Sequence, residues 1–143
     1  AGCPGIADPG ADVVRIAHQR DIEVVPLVGP SSILLAMMAS GFNGQNFTFN
    51  GYLPKERIDR IKSIRELEKL VLQKNQAQLF IETPYRNNHI FEDILETCAG
   101  DTKLCVACDL TLADEFVVTK TVAYWKKLKP DLSKRPCIFI LGK

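Results

Sequence analysis

Long apolar runs are missing from this sequence. The longest, Ile33-Leu34-Leu35-Ala36-Met37-Met38-Ala39, has the length of a buried helix and falls well short of the ~20 apolar residues a membrane span needs. A basic leader followed by an apolar stretch is also missing, so no secretory signal is visible. Histidine is scarce: His18 and His89 lie far apart and far from the cysteines, and no metal site is expected. Neither a Walker-type loop nor G-x-G-x-x-G occurs, and no Ser-His-Asp spacing stands out. A net charge of +1 gives no global attraction to nucleic acid. Repeats and low-complexity tracts are absent. The first residue is not Met, and the chain opens inside a loop motif, which reads as a piece of a longer polypeptide.

What is present suits a globular α/β protein. The 143 residues are 46% hydrophobic and 24% charged, enough for one ordinary domain or two small halves. Five cysteines, an odd count, stand at Cys3, Cys98, Cys105, Cys108 and Cys137. Cys105 and Cys108 form a C-x-x-C, but Leu104 to Cys108 reads as a buried strand, in which positions three apart face opposite ways. Structural thiols are therefore expected rather than metal or redox roles, in a reducing, cytoplasmic compartment.

The stretch Ala1-Gly2-Cys3-Pro4-Gly5-Ile6-Ala7-Asp8-Pro9-Gly10 packs three glycines and two prolines into ten residues. Glycine reaches angles closed to other residues and proline fixes φ, so a stiff loop is expected whose backbone approaches a ligand. Val13, Val14, Ile16 and Ala17 predict a helix from Ala11 to Arg20 with one core face, Asp8 capping it and Pro9 at its first position. Ile22 to Val28, rich in β-branched residues, predicts a strand. The loop Gly29-Pro30-Ser31-Ser32 follows, with a serine cap on the apolar helix from Ile33 to Ala39. Loop, helix, strand and loop is the rhythm of parallel α/β architecture, in which ligands bind at strand carboxyl ends.

Gly41 to Asn46 breaks the chain and reads as a domain boundary. Strands are expected at Phe47 to Tyr52, Gln78 to Ile81, Lys103 to Cys108, Phe116 to Thr119 and Pro136 to Leu141. Helices are expected at Glu56 to Lys74, Asn87 to Cys98 and Val122 to Lys129, the last anchored by Trp125. Four further loops follow predicted strands: Gly29 to Ser32, Tyr52 to Lys55, Glu82 to Arg86 and Asp109 to Glu115. With the opening loop they describe a cleft between two α/β halves. The carboxylates in these loops, Asp8, Glu82, Asp109 and Glu115, are the candidate proton acceptors. Their plainer roles are a helix cap for Asp8, an ion pair with Arg86 for Glu82, and solvent exposure for Asp109 and Glu115. Lys55, Arg57, Arg60 and Lys62 are basic residues in reach of a phosphate, though a solvated helix face accounts for them better.

The opening ten residues resemble the A-G-T-P-x-I-S-D-P-G segment of the tetrapyrrole methylase superfamily. Val24-Val25-Pro26-Leu27-Val28-Gly29-Pro30-Ser31 is similar to V-V-P-L-P-G-P-S in its ribosomal RNA small-subunit methyltransferase I branch. Phe49-Asn50-Gly51-Tyr52-Leu53-Pro54-Lys55 resembles F-x-G-F-L-P-x-K, and Ile81-Glu82-Thr83-Pro84-Tyr85-Arg86 resembles Y-E-S-P-H-R. The resemblance implies two α/β domains, here residues 1–46, a truncated first domain, and residues 47–143. It implies S-adenosyl-L-methionine in the cleft between them, released as S-adenosyl-L-homocysteine. Gly2, Cys3, Pro4, Gly5 and Ile6 would line its methionine part, with Pro30, Ser31, Ser32 and Ile33 near the adenosine. Tyr52, Pro54, Lys55, Tyr85 and Arg86 would meet the substrate.

By the same resemblance, the reaction is methylation of a cytidine 2′-hydroxyl in small-subunit ribosomal RNA by a homodimer with no membrane attachment. A corrin or porphyrin precursor is the alternative substrate, and a non-catalytic cofactor-cleft module the alternative role. The branch's R-E-L-T-K stands here as Cys108-Asp109-Leu110-Thr111-Leu112, without either basic residue. With the family's first strand and loop upstream of Ala1, weak cofactor binding by these residues alone is expected.

Overall fold

A computed structural model of the chain describes residues 2–143. It divides into two units, one ending at Ser32 and the other running Ile33–Lys143. Each is considered by itself.

The first unit holds one helix, α1 (Ala11–Gln19), between two irregular stretches. Gly10, at φ 147°, is its N-cap and no side chain caps it. Asp8 and Pro9 therefore lie before the helix, which corrects the expected cap. The expected core face is also corrected, since no residue of α1 is buried. Ile22 to Val28 is not a strand. A strand exists only when its N–H and C=O groups meet a neighbouring ladder, and none of the described residues of this unit forms one. Leu27 is consequently 87% exposed.

The second unit is a mixed sheet with helices on both faces. Its strands are β1 (Phe47–Tyr52), β2 (Ala77–Ile81), β3 (Lys103–Cys108), β4 (Phe116–Thr121) and β5 (Cys137–Gly142). Their spatial order is β1-β2-β5-β3-β4. β1 and β2 are parallel, whereas β5 runs antiparallel to both β2 and β3, and β4 antiparallel to β3. The sheet is therefore mixed, as suits an α/β domain.

Alternation sorts the side chains. Phe80, Leu104, Val106, Phe139 and Leu141 point to one face and pack with α3 (Arg57–Lys74), α4 (Asn87–Thr97) and α5 (Val122–Leu128). Trp125 is the anchor there: it is fully buried, and its indole N–H donates to the Leu104 carbonyl at 2.9 Å. Leu79, Cys105, Ala107, Ile138 and Ile140 point the other way, toward α2 (Ser32–Ser40) through Ile33, Ala36 and Met37. Cys105 and Cys108 fall on opposite faces, as their spacing requires.

One irregularity bears on the site. Phe49 pairs with Leu79, yet Tyr52 pairs with Ile81, so three residue steps on β1 match two on β2. Gly51 supplies the left-handed conformation, φ 64°, that such a bulge favours. The extra residue reverses the alternation, so Leu53 joins the α3–α5 core and Tyr52 turns to the opposite face.

Candidate functional site

In the first unit, the two glycine-proline loops meet. The Cys3 thiol donates to the carbonyl of Gly29 at 3.4 Å and lies 3.6 Å from that of Pro30. A Cβ on Gly29 would collide with the Gly2 carbonyl oxygen, and Gly2 itself has φ 102°. Gly10 lies against Gly5 in the same way, a Cβ there coming 3.2 Å from the Gly5 nitrogen. These glycines permit backbone approaches that no side chain would allow. The Ile6 amide closes a turn onto the Cys3 carbonyl at 3.1 Å. Beside the turn, a concavity of about 640 Å³ is lined mainly by Pro4, Gly5, Ile6, Ala11, Val14 and His18. Ser31 directly precedes α2, and Ser32 is its first residue.

In the second unit, the topology gathers the remaining candidates along one sheet edge. β1, β2 and β3 all run toward that edge, and the antiparallel β4 and β5 begin there. Tyr52, Glu82 and Asp109 follow or end the first three strands, while Glu115 and Arg135 precede the last two. The Tyr52–Lys55, Glu82–Arg86 and Asp109–Glu115 loops therefore share a rim.

Three of the four candidate carboxylates are already engaged. Glu82 is buried; it accepts from the Thr83 amide at 2.6 Å and from the Arg86 guanidinium at 2.5 Å. Asp109, for which solvent exposure is the plainer reading, is mostly buried and accepts from Arg135 Nε at 2.6 Å. Glu115 is exposed and accepts from the Thr111 amide at 2.7 Å. Asp8, in the first unit, is exposed in its loop.

Arg135 escaped sequence reasoning. It also donates to the Asp114 carbonyl at 2.8 Å, and its guanidinium lies 5.9 Å from the Phe116 ring centroid. Asn87 holds the Arg135 carbonyl at 2.6 Å. The missing signal was strand direction: only an antiparallel β5 brings the residues before it beside the residues after β3. The other missed pair is Arg60 with Asp93, both buried. Arg60 bonds Asp93 at 2.7 Å and donates to the carbonyls of Lys55, at 2.6 Å, and Pro54, at 3.3 Å. Arg57 bonds Asp93 at 2.8 Å and Glu96 at 2.6 Å. Both arginines thus serve the fold; the solvated face expected for them is corrected at Arg60, which is buried, while Lys55 remains exposed.

Ile33 packs in the sheet-facing cluster. Cys108 and Cys137, paired partners on β3 and β5, form a disulfide with Cα atoms 4.2 Å apart, correcting the expectation of free structural thiols at these positions. Cys98 and Cys105 are free and buried. Burial, with the Glu68 carboxylate adding to it, pushes the Cys98 thiol up to about 12, and burial also raises that of Cys105. Among the described residues no group of three or more His, Cys, Asp or Glu is placed to hold a metal, and no helix is long and apolar enough to cross a membrane.

No family model matches the chain. Among known proteins it is 37% identical over 134 residues to the ribosomal RNA small subunit methyltransferase I of Thermotoga maritima, covering 91% of this chain and 58% of that one. The protein of the same name from Vibrio cholerae is 32% identical over 117 residues, covering 82% and 39%. A Streptococcus pyogenes counterpart is 34% identical over 143 residues, covering 99% and 48%. The chain thus spans about half the length of these relatives. Two solved structures share its fold. The methyltransferase CobJ matches with TM-score 0.61 and 14% identity, over 99% of this chain and 62% of its own. Uroporphyrin-III C-methyltransferase from Thermus thermophilus, complexed with S-adenosyl homocysteine, matches with TM-score 0.55 and 16% identity, over 99% and 63%. The chain is therefore a homologue, over about half their length, of the proteins named ribosomal RNA small subunit methyltransferase I, and it is built on the fold of the tetrapyrrole methyltransferases.

Proposed function

We propose that this chain is part of an S-adenosylmethionine-dependent methyltransferase acting on a ribose 2′-hydroxyl of small-subunit ribosomal RNA. The observation that carries the reading is the docking of the Gly2–Gly10 loop on Gly29 and Pro30, in a homologue of proteins with that name. The fit to the cofactor rests on the same cradle. Its glycines leave backbone groups of Gly2 to Ile6 available to the methionine part. Pro30, Ser31 and Ser32 offer main-chain and hydroxyl groups to the adenosine, with Ile33 as the next residue of the chain. Bound S-adenosylmethionine supplies an electrophilic methyl group on a sulfonium.

The protein's tasks are then to orient an in-line attack and to accept one proton from the attacking hydroxyl. Asp8 is our assignment for the acceptor. Glu82 and Asp109 are each already engaged by a guanidinium, and Glu115 is bonded to the Thr111 amide. Tyr52, Pro54, Lys55, Tyr85 and Arg86 form the substrate side. The reading carries with it two domains, residues 1–46 and 47–143, in a cytoplasmic homodimer. The test is methyl transfer from labelled cofactor to undermodified small subunits by the complete protein, with the modified position mapped. Transfer to base carbon or nitrogen, or to a tetrapyrrole instead, would falsify it.

A further inference from the structure

The rim carries two large exposed aromatic rings that the fold does not use. Tyr52 is 63% exposed and Tyr85 75%. Exposed Tyr124 differs, since it meets Trp125 edge-on and lies under Lys120. Tyr52 and Tyr85 stand at the ends of neighbouring parallel strands, for Tyr52 is paired with Ile81 and Tyr85 follows four residues on. Both are held on stiff backbone. The bulge at Gly51 turns Tyr52 out of the α3–α5 core. Tyr85 sits in the short 3-10 turn Pro84–Arg86, fixed from one side by Glu82 on Arg86 and from the other by the Lys134 amide on the Pro84 carbonyl at 3.0 Å.

The charges around them argue for a particular kind of contact. Arg86 is paired with Glu82, and Arg135 with Asp109. Asp114 and Glu115 add negative charge on the same edge. A phosphate backbone finds little uncompensated positive charge there beyond Lys55 and Lys134, whereas flat rings find two exposed faces on preorganised supports. Bases in a duplex have no free face to offer, and unpaired bases do. Tyr52 closes β1 and Tyr85 lies in the turn after the neighbouring β2, so one rim carries both rings.

We propose that Tyr52 and Tyr85 form a stacking platform that takes unpaired bases of an RNA strand. The inference rests on the ribosomal RNA reading above and specifies how that substrate is held: as single strand, by ring faces more than by phosphate charge.

The test measures binding of this chain to a labelled single-stranded oligoribonucleotide, to the same sequence as a duplex, and to an abasic strand with the same phosphates. Tyr52→Ala and Tyr85→Ala are expected to weaken single-strand binding roughly 5- to 100-fold each, the range of one lost base–aromatic stack, and Tyr52→Phe and Tyr85→Phe to retain it. Duplex and abasic strands bind weakly to the parent and equally to all variants. Salt dependence is shallow, corresponding to about two phosphate contacts or fewer. Both side chains are exposed, so an unchanged melting temperature verifies the fold of each variant. Single-strand binding unaffected by alanine, absent from the parent, or matched by the duplex or abasic strand overturns the inference. Failure of the methyltransferase reading is seen separately, as absence of methyl transfer by the complete protein.

Discussion

Arg60 and Asp93, both buried, are joined at 2.7 Å, and the same guanidinium holds the Lys55 carbonyl at 2.6 Å. The pair thus connects α3 and α4 to the loop after β1. Asp93→Ala leaves a buried cation without its partner, and a loss of about 3–5 kcal/mol is expected. Replacing both residues with apolar ones of similar volume is expected to cost far less. Urea denaturation of the single and double variants checks this, and a single variant as stable as the double one would refute it.

Asp109 and Arg135 tie the ends of β3 and β5 together. A double-mutant cycle with alanine at both positions is expected to give a coupling energy of about 0.5–3 kcal/mol. Asp109→Asn in the complete protein is expected to change methyl-transfer turnover less than Asp8→Asn, since the Asp109 carboxylate is already held by Arg135. Comparable losses from the two would reverse the assignment of the base. Cofactor affinity, measured by calorimetry, is expected to survive Asp8→Asn.

Gly29→Ala places a Cβ where the Gly2 carbonyl oxygen lies. Separation of the two loops follows, and cofactor affinity in the complete protein is expected to fall at least as far as for any single contact removed. Gly44→Ala, where a Cβ meets nothing within 4 Å, is the matched control. Equal affinities for the two variants would count against the cradle.

Alkylation in the absence of reductant is expected to label Cys3, to label Cys98 and Cys105 only after unfolding, and to leave Cys108 and Cys137 unmodified. Reduction, which opens a cross-link between residues 29 apart in sequence, is expected to lower stability by about 2–4 kcal/mol. The alkaline limb has a defined sign. The Cys98 thiol titrates near 9 when unfolded and is pushed up to about 12 when folded. The unfolded chain therefore loses its proton first, and stability is constant below pH 9 and falls as pH rises from there toward 12. The slope per thiol reaches at most about 1.4 kcal/mol per pH unit. Unfolding curves of the Cys98→Ala variant that show the same alkaline fall would remove Cys98 as its source.

The helices and strands of residues 47–143 were legible because each announces itself locally. Ile90, Phe91, Ile94 and Leu95 mark one face of α4, and Leu104 to Cys108 is apolar throughout because both faces of β3 are covered. What depends on a partner was not legible. Ile22 to Val28 has strand composition but pairs with nothing described here. The direction of β5 is a property of its neighbours, so neither Arg135 on Asp109 nor Cys137 on Cys108 could be read along the chain. Arg60 looks like a surface charge in a basic run; only Asp93, 33 residues away, makes it an interior one. The candidate loops were legible through their glycines and prolines, and the occupation of their carboxylates was not.

The bulge at Gly51 has a consequence for descent as well as for geometry. Along a strand, facing is a matter of parity, and one residue gained or lost inverts everything after it. Here the bulge absorbs such a change: with Gly51 deleted, two steps on β1 would match two on β2, so Tyr52 would stay opposite Ile81 and Leu53 would stay in the α3–α5 core. Relatives one residue shorter at this point would therefore present the same side chains at this rim, on a less twisted strand.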